Sequence, residues 1–399
     1  MKTAPPSAGQ SRQDIKYFIT YGVTFIALGL SSAALGPMLP YLAEHAGVTL
    51  AQISFLFTSS SLGYFVGSAG GGRLFDRFKG HPIMLVAVIF FTAVLFLIPL
   101  TPYFYALLML LFIFGLGQGL LDVGANVNLL WVFQARVGPY MNSLHFFFGI
   151  GAFLSPIILH NVMSLAGDEL TWPFWVLALL SLPGLIGLST LSSPTNPEKE
   201  EIENDTQTNT PRLLVAMVLL FFLYVGVEGG FGGWIFTYAI ETQMATETSA
   251  SYINSLFWGA LTLGRLLTVP LARKIKPAPL LLGNFLLAIL FLGLILVFPH
   301  KTWMLWVGSA GLGFALSSVF PTLMVLGESR IKISGKVTGY FFLGSSLGGM
   351  LVPMGLGQIF EYIGSAQIMV TLFILLLLGL AVLISVIYAS NRIGEKSRV

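Results

Sequence analysis

Long apolar runs without a single charge constrain this chain more than any other feature. Residues 82–100 and 368–387 are two of them. A run of about 18 or more such residues is long enough, as helix, to cross roughly 30 Å of hydrocarbon. Only 9% of the 399 residues are charged and 55% are hydrophobic, whereas a soluble domain carries roughly 25% charged residues. So few charges leave a water-facing surface uncovered. A membrane barrel would alternate polar and apolar residues in segments of ~10, and the sequence shows no such alternation. Helices that satisfy their own backbone are the remaining solution. The formal charge of +3 is too small to argue for nucleic acid, and no nucleic-acid partner is expected; with no cysteine there is no disulfide. Residues 1–14 are polar and lack a cleavage signal, so the first helix is read as its own insertion signal.

The pattern predicts an all-α integral membrane protein with twelve transmembrane helices. They are placed at 15–41, 51–73, 82–101, 104–133, 138–163, 171–191, 212–241, 249–272, 278–299, 302–326, 334–360 and 365–390. Turn chemistry separates them, as at Gly80-His81-Pro82, Thr101-Pro102, Gly138-Pro139 and Pro277-Ala278-Pro279. The longest polar stretch, 192–211, holds Pro194, Pro197, Glu198, Lys199, Glu200, Glu201, Glu203 and Asp205. It reads as a solvated cytoplasmic linker between a six-helix bundle at 15–191 and a second at 212–390. Residues 1–14 and 391–399 are then cytoplasmic tails. With the N-terminus in the cytoplasm, only Lys301 of the 20 Lys and Arg residues falls on the outer side. That positive-inside bias supports the even span count.

The halves resemble each other at an offset of roughly 195 residues, as parallel duplicated bundles do in secondary transporters. Gly72-Arg73-Leu74 matches Gly264-Arg265-Leu266, and Gly115-Leu116-Gly117 matches Gly311-Leu312-Gly313. Gly151 and Pro156 match Gly348 and Pro353, and Gly36 pairs with Gly232. The 44 glycines suit close helix packing. The loop Gly72-Arg73-Leu74-Phe75-Asp76-Arg77-Phe78-Lys79-Gly80 resembles the major facilitator superfamily signature G-x-x-x-D-R-x-G-x-R/K-R/K. It departs by one extra residue before Gly80 and by His81 where a base is usual. The resemblance implies two pseudo-symmetric six-helix bundles and a conformational latch at Asp76 and Arg77. Arg265, in the second copy of the loop, reads the same way, as does Glu328 with Arg330 at the inner end of span 10.

Three stretches are similar to the fucose permease group and its sodium-dependent glucose transporter branch. They run from Gly119 to Val127, from His145 to Phe153 and from Gly226 to Ala239. In span 4 the group has an acid four residues before Asn, here Asp122 and Asn126, and the resemblance implies a cation-coupling role for that acid. The second acid that fucose permeases carry in span 1 has no counterpart here, which favours the glucose branch.

Only two acids sit deep within spans, Asp122 and Glu228. A charged acid near the bilayer centre costs at least ~2.5 kcal/mol and needs a partner, a proton, a bound cation or water. Both are read as cation-coupling residues. Gln118, Asp122 and Asn126 share one helix face, whose amides suit sugar hydroxyls. Asn142 and His145 share a face of span 5, and a histidine there titrates near neutrality or donates to a hydroxyl. Trp234 is read as a stacking or belt aromatic, with Asn254, Trp258 and Asn284 as further substrate-binding candidates. The glycines around Glu228 suggest a segment of span 7 able to unwind.

These readings converge on a secondary active transporter that moves a small polar solute, a monosaccharide, by alternating access with H⁺ or Na⁺. An exporter of an amphiphilic drug or lipid is the alternative on the same fold. Enzyme chemistry is not expected. No H-E-x-x-H helix or Walker lysine loop occurs, and Gly344-Ser345-Ser346-Leu347-Gly348 lies inside apolar span 11, without the strand–turn–helix that a nucleophile elbow needs. No cofactor and no resident metal are expected beyond transient Na⁺. The expected partners are the solute, the coupling cation and the lipid of a plasma or bacterial inner membrane, with the chain acting as a monomer.

Overall fold

The computed structural model describes residues 8–194, 211–272, 274–299, 301–328, 331 and 335–396. Among these, regular structure is helical throughout. The first span is two helices, α1 (Ala8–Ser32) and α2 (Leu35–Ala46), and the second is a short α3 (Leu50–Ile53) and a long α4 (Phe55–Arg77). Then follow α5 (Gly80–Leu97), α6 (Phe104–Phe133), α7 (Val137–Leu165) and α8 (Thr171–Thr190). The later spans are α9 (Pro211–Glu241), α10 (Glu247–Ala272) and α11 (Pro277–Val297). The tenth span is split into α12 (Thr302–Leu316) and α13 (Val319–Glu328), and α14 (Gly335–Tyr362) and α15 (Gln367–Lys396) complete the set. The twelve expected spans are all present, and α6 has the expected bounds. The linker reading falls mostly on residues 195–210, outside the described residues.

Local chemistry sets the helix ends. Gly47 closes α2 in the left-handed conformation, φ 62°, which glycine adopts without a Cβ clash. Thr49 and Gln52 form a reciprocal capping box at the start of α3. Pro277 opens α11, where its missing N–H costs nothing. Among the described residues, ten helices are long and apolar enough to cross a membrane, with Thr302–Glu328 counted as one. The two long helices outside that set, α4 and α10, are diluted by Thr58, Ser59, Ser60 and Ser61 in one and Ser249, Ser251, Asn254 and Ser255 in the other.

The chain divides into two compact units, Met1–Ser32 with Leu62–Glu200, and Ala33–Ser61 with Glu201–Val399. In the first, α1 crosses α7 where Gly29 meets the Phe148 carbonyl and Gly151 meets that of Ile26. In the second, α9 crosses α14 where Gly226 faces Gly348, and Gly348 meets the Phe222 carbonyl. A Cβ at either crossing would collide with backbone, so the internal repeat is a repeat of packing. Gly63 and Gly119 do the same for α4 and α6, and Gly313 for α12 against α10.

The glycine-rich part of span 7 corrects one expectation. It does not unwind: α9 is continuous from Pro211 to Glu241. Gly230 and Gly232 instead admit Leu356 and Trp258 side chains. The breaks fall elsewhere, at Ala33–Ala34 in span 1, at Ser54 in span 2 and at Ser317–Ser318 in span 10.

Residues 33–61 carry a second feature of the C-terminal unit. Ser54, Thr58 and Ser61 lie on one helical face and donate to the carbonyls of Met354 (3.2 Å), Met350 (3.2 Å) and Gly349 (3.3 Å) on α14. Pro353 has no N–H, so the Gly349 carbonyl has no partner within its own helix. The Gln358 amide donates back to Ala51 at 2.8 Å.

Candidate functional site

Each unit holds one of the two deep acids. In the N-terminal unit, α6 presents Gln118, Asp122 and Asn126 on one side. Asp122 is half-buried and accepts a short hydrogen bond from the Tyr64 hydroxyl on α4. Asn126 donates its amide to the Asp122 carboxylate and to the Asp122 carbonyl, both at 2.9 Å. Gln118 is buried and donates to Ser32 at 2.9 Å, at the point where α1 ends. Among the described residues, no lysine or arginine lies within ion-pair distance of Asp122.

In the C-terminal unit, Glu228 on α9 accepts a short hydrogen bond from Tyr224, one turn earlier on the same helix. Arg265 of α10 places its guanidinium 4.0 Å from the Glu228 carboxylate. Arg265 was expected to act in a loop latch; here it is the counter-charge of the second acid. The side chains of Glu228 and Arg265 are 17% and 31% exposed, so the pair is partly screened from solvent.

The remaining candidates separate. Asn142 and His145 are exposed on α7, with the His145 ring 6.0 Å from Phe25 and edge-on to it. Asn254 is fully buried and donates to the Gly232 carbonyl at 2.6 Å, and Trp258, one turn on, lies against Gly232. Asn284 donates to Ser318 at 2.8 Å and so braces the break between α12 and α13. Trp234 requires a correction. It is 0% exposed, its indole donates to the Pro353 carbonyl at 2.8 Å, and it stacks on Phe360. That ring is a packing residue of the α9–α14 seam, its one polar atom already spent on Pro353.

Asp76 and Arg77 are exposed at the end of α4, and among the described residues neither has an ion-pair partner. Glu328 is exposed at the end of α13, and Arg330 lies outside the described residues. His81, which stands where a base is usual, is buried. Its ring bonds the Tyr21 hydroxyl at 2.7 Å and the Leu191 carbonyl at 2.9 Å, tying α5 to the end of α8.

The two tyrosines escaped the sequence reading. Tyr224 was legible as the i−4 neighbour of Glu228. Tyr64 lies 58 positions from Asp122, and only the Gly63, Gly67 and Gly119 contacts bring α4 and α6 close enough for them to meet.

A family model described as Major Facilitator Superfamily matches residues 21–353. The sodium-dependent glucose transporter 1 of Xenopus laevis is 28% identical over 358 residues, covering 83% of this chain and 73% of that protein. Its namesake in Homo sapiens is 27% identical over 373 residues, covering 84% and 71%. A crystal structure of the nucleoside transporter NupG superposes with a TM-score of 0.76 at 16% identity, covering 93% of this chain and 99% of that one. At that identity the likeness speaks for the fold alone.

Proposed function

Because the chain belongs to the major facilitator superfamily, we propose that it is a cation-coupled transporter of a monosaccharide, with Asp122 as the coupling acid. One observation carries this reading: Asp122 receives hydrogen bonds from Tyr64 and Asn126 but has no cationic side chain of lysine or arginine beside it among the described residues. Hydrogen bonds orient a carboxylate without cancelling its charge. At mid-membrane that charge costs at least ~2.5 kcal/mol, which H⁺ or Na⁺ relieves. Glu228 carries less of the coupling, because Arg265 already answers it.

The mechanism follows from electrostatics. The carrier loaded with cation and solute buries no uncompensated charge and changes sides, whereas a carrier closing over solute alone would bury the bare Asp122 carboxylate. The half-loaded form is held back. Relatives named for sodium-dependent glucose transport support Na⁺ and a hexose as the pair. The amides of Gln118 and Asn126 and the exposed Asn142 and His145 are the N-terminal candidates for solute contact. Asp76, Arg77 and Glu328 retain the proposed latch role at the cytoplasmic side. The chain is assigned to a plasma or bacterial inner membrane, with both termini cytoplasmic and a monomer as the working unit.

The test is uptake into proteoliposomes under separately imposed pH and sodium gradients, with a panel of hexoses, nucleosides and lipophilic cations. The expected result is hexose accumulation driven by one gradient. Accumulation of lipophilic cations alone would replace this reading with export of amphiphiles.

A further inference from the structure

Resting on that transporter reading, we propose that Asn254 and Trp258 form a hydroxyl-reading subsite for the solute in the C-terminal unit. Asn254 and Trp258 are one turn apart on α10, and both abut Gly232 of α9. Asn254 spends its amide N–H on the Gly232 carbonyl at 2.6 Å. The Trp258 ring fits there because position 232 has no side chain: a Cβ would lie 2.5 Å from the indole. Each residue is thereby fixed in orientation and left with one polar atom unused.

Those two atoms are opposite in kind. The Asn254 Oδ1 is an acceptor and the Trp258 Nε1–H a donor. Both are shielded from solvent, and among the described residues neither has a hydrogen-bond partner. Asn254 itself is 0% exposed. Leaving a buried polar group unpaired costs about 1–3 kcal/mol, so a matched pair of orphans in one place points to a ligand that answers both. A hydroxyl donates and accepts at once, and two adjacent hydroxyls do so with freedom of geometry. A carboxylate answers only the indole, an ammonium only the amide oxygen, and an apolar solute neither. The Trp258 ring is itself only part-buried and offers an apolar face to the C–H side of a sugar ring. Read with the monosaccharide proposal, the subsite takes a hydroxyl of the solute and reads one particular hydroxyl position.

The experiment is equilibrium binding of D-glucose, D-galactose and L-fucose to the purified full chain, followed by the monodeoxy analogues of the tightest binder. For the unmodified protein, one monodeoxy analogue is expected to bind about tenfold more weakly than its parent, as loss of one buried hydrogen bond implies. Trp258→Phe keeps the ring and removes the N–H. It should weaken the parent sugar about tenfold and leave that one analogue unchanged, so that the two losses do not add. If the variant fails to fold, 3-benzothienylalanine at position 258 removes the N–H with the bicyclic shape retained, and the same result is expected. Wild-type affinities for every sugar in either variant would overturn the subsite while leaving sugar transport intact. Absence of binding by any hexose to the unmodified protein would instead remove the monosaccharide reading, and this subsite with it.

Discussion

Asp122 and Glu228 are two solutions to one problem, an acid inside hydrocarbon. Both are capped by a tyrosine hydroxyl, from Tyr64 on a neighbouring helix in one unit and from Tyr224 on the same helix in the other. They differ in charge. Glu228 has Arg265 at 4.0 Å, whereas Asp122 has Asn126, a neutral amide. Similar bundles, repeated down to the glycines at their helix crossings, thus carry a compensated acid and an uncompensated one. The cation demand proposed above falls on the uncompensated one.

Five substitutions bear on that contrast. Asp122→Asn should have the largest effect: concentrative uptake falls to an accumulation ratio of unity while exchange of pre-loaded solute persists. Retained uphill uptake would assign the coupling elsewhere, with Glu228 next in line. Arg265→Gln should turn Glu228 into a second uncompensated acid. Thermal unfolding in detergent should register a loss of about 1–3 kcal/mol, below the roughly 3–5 kcal/mol of a fully buried pair because this one is partly exposed. The double variant Glu228→Gln/Arg265→Gln should recover most of it, and strict additivity of the two single changes would deny the pairing.

Smaller effects separate the tyrosines. Tyr64→Phe removes a hydrogen bond that favours the bare, charged carboxylate, worth about 1.5 kcal/mol, so the cation concentration for half-maximal uptake should fall about tenfold. Tyr224→Phe should shift it by about threefold or less, because Arg265 still holds Glu228. Equal shifts in the two variants would mean that the acids share the coupling after all.

The spans were legible because hydrocarbon imposes length and composition on every crossing, and polar turns punctuate them. Hence α6 could be bounded from the sequence at 104–133. The repeat was legible through glycines, since a helix crossing this close tolerates no side chain at Gly29 or Gly348. What a helix faces depends on its rotation about its own axis, and that is set by all its neighbours together. Tyr64 meeting Asp122, and Trp234 turning into the α14 seam, were for that reason invisible in one dimension. The glycine cluster near Glu228 misled for a related reason. Glycine permits both unwinding and close approach, and the bulky Trp258 and Leu356 decided in favour of approach.

The serine and threonine donors that meet α14 around Pro353 make a fastening with no formal charge in it. When such a seam parts, water takes over each hydroxyl and each carbonyl, and the hydrogen-bond count is conserved at little enthalpic cost. No ion has to be stripped or rehydrated, and counter-ions in the medium have nothing to shield. The strength of the seam between residues 33–61 and α14 should therefore be indifferent to ionic strength, where a seam of ion pairs would weaken.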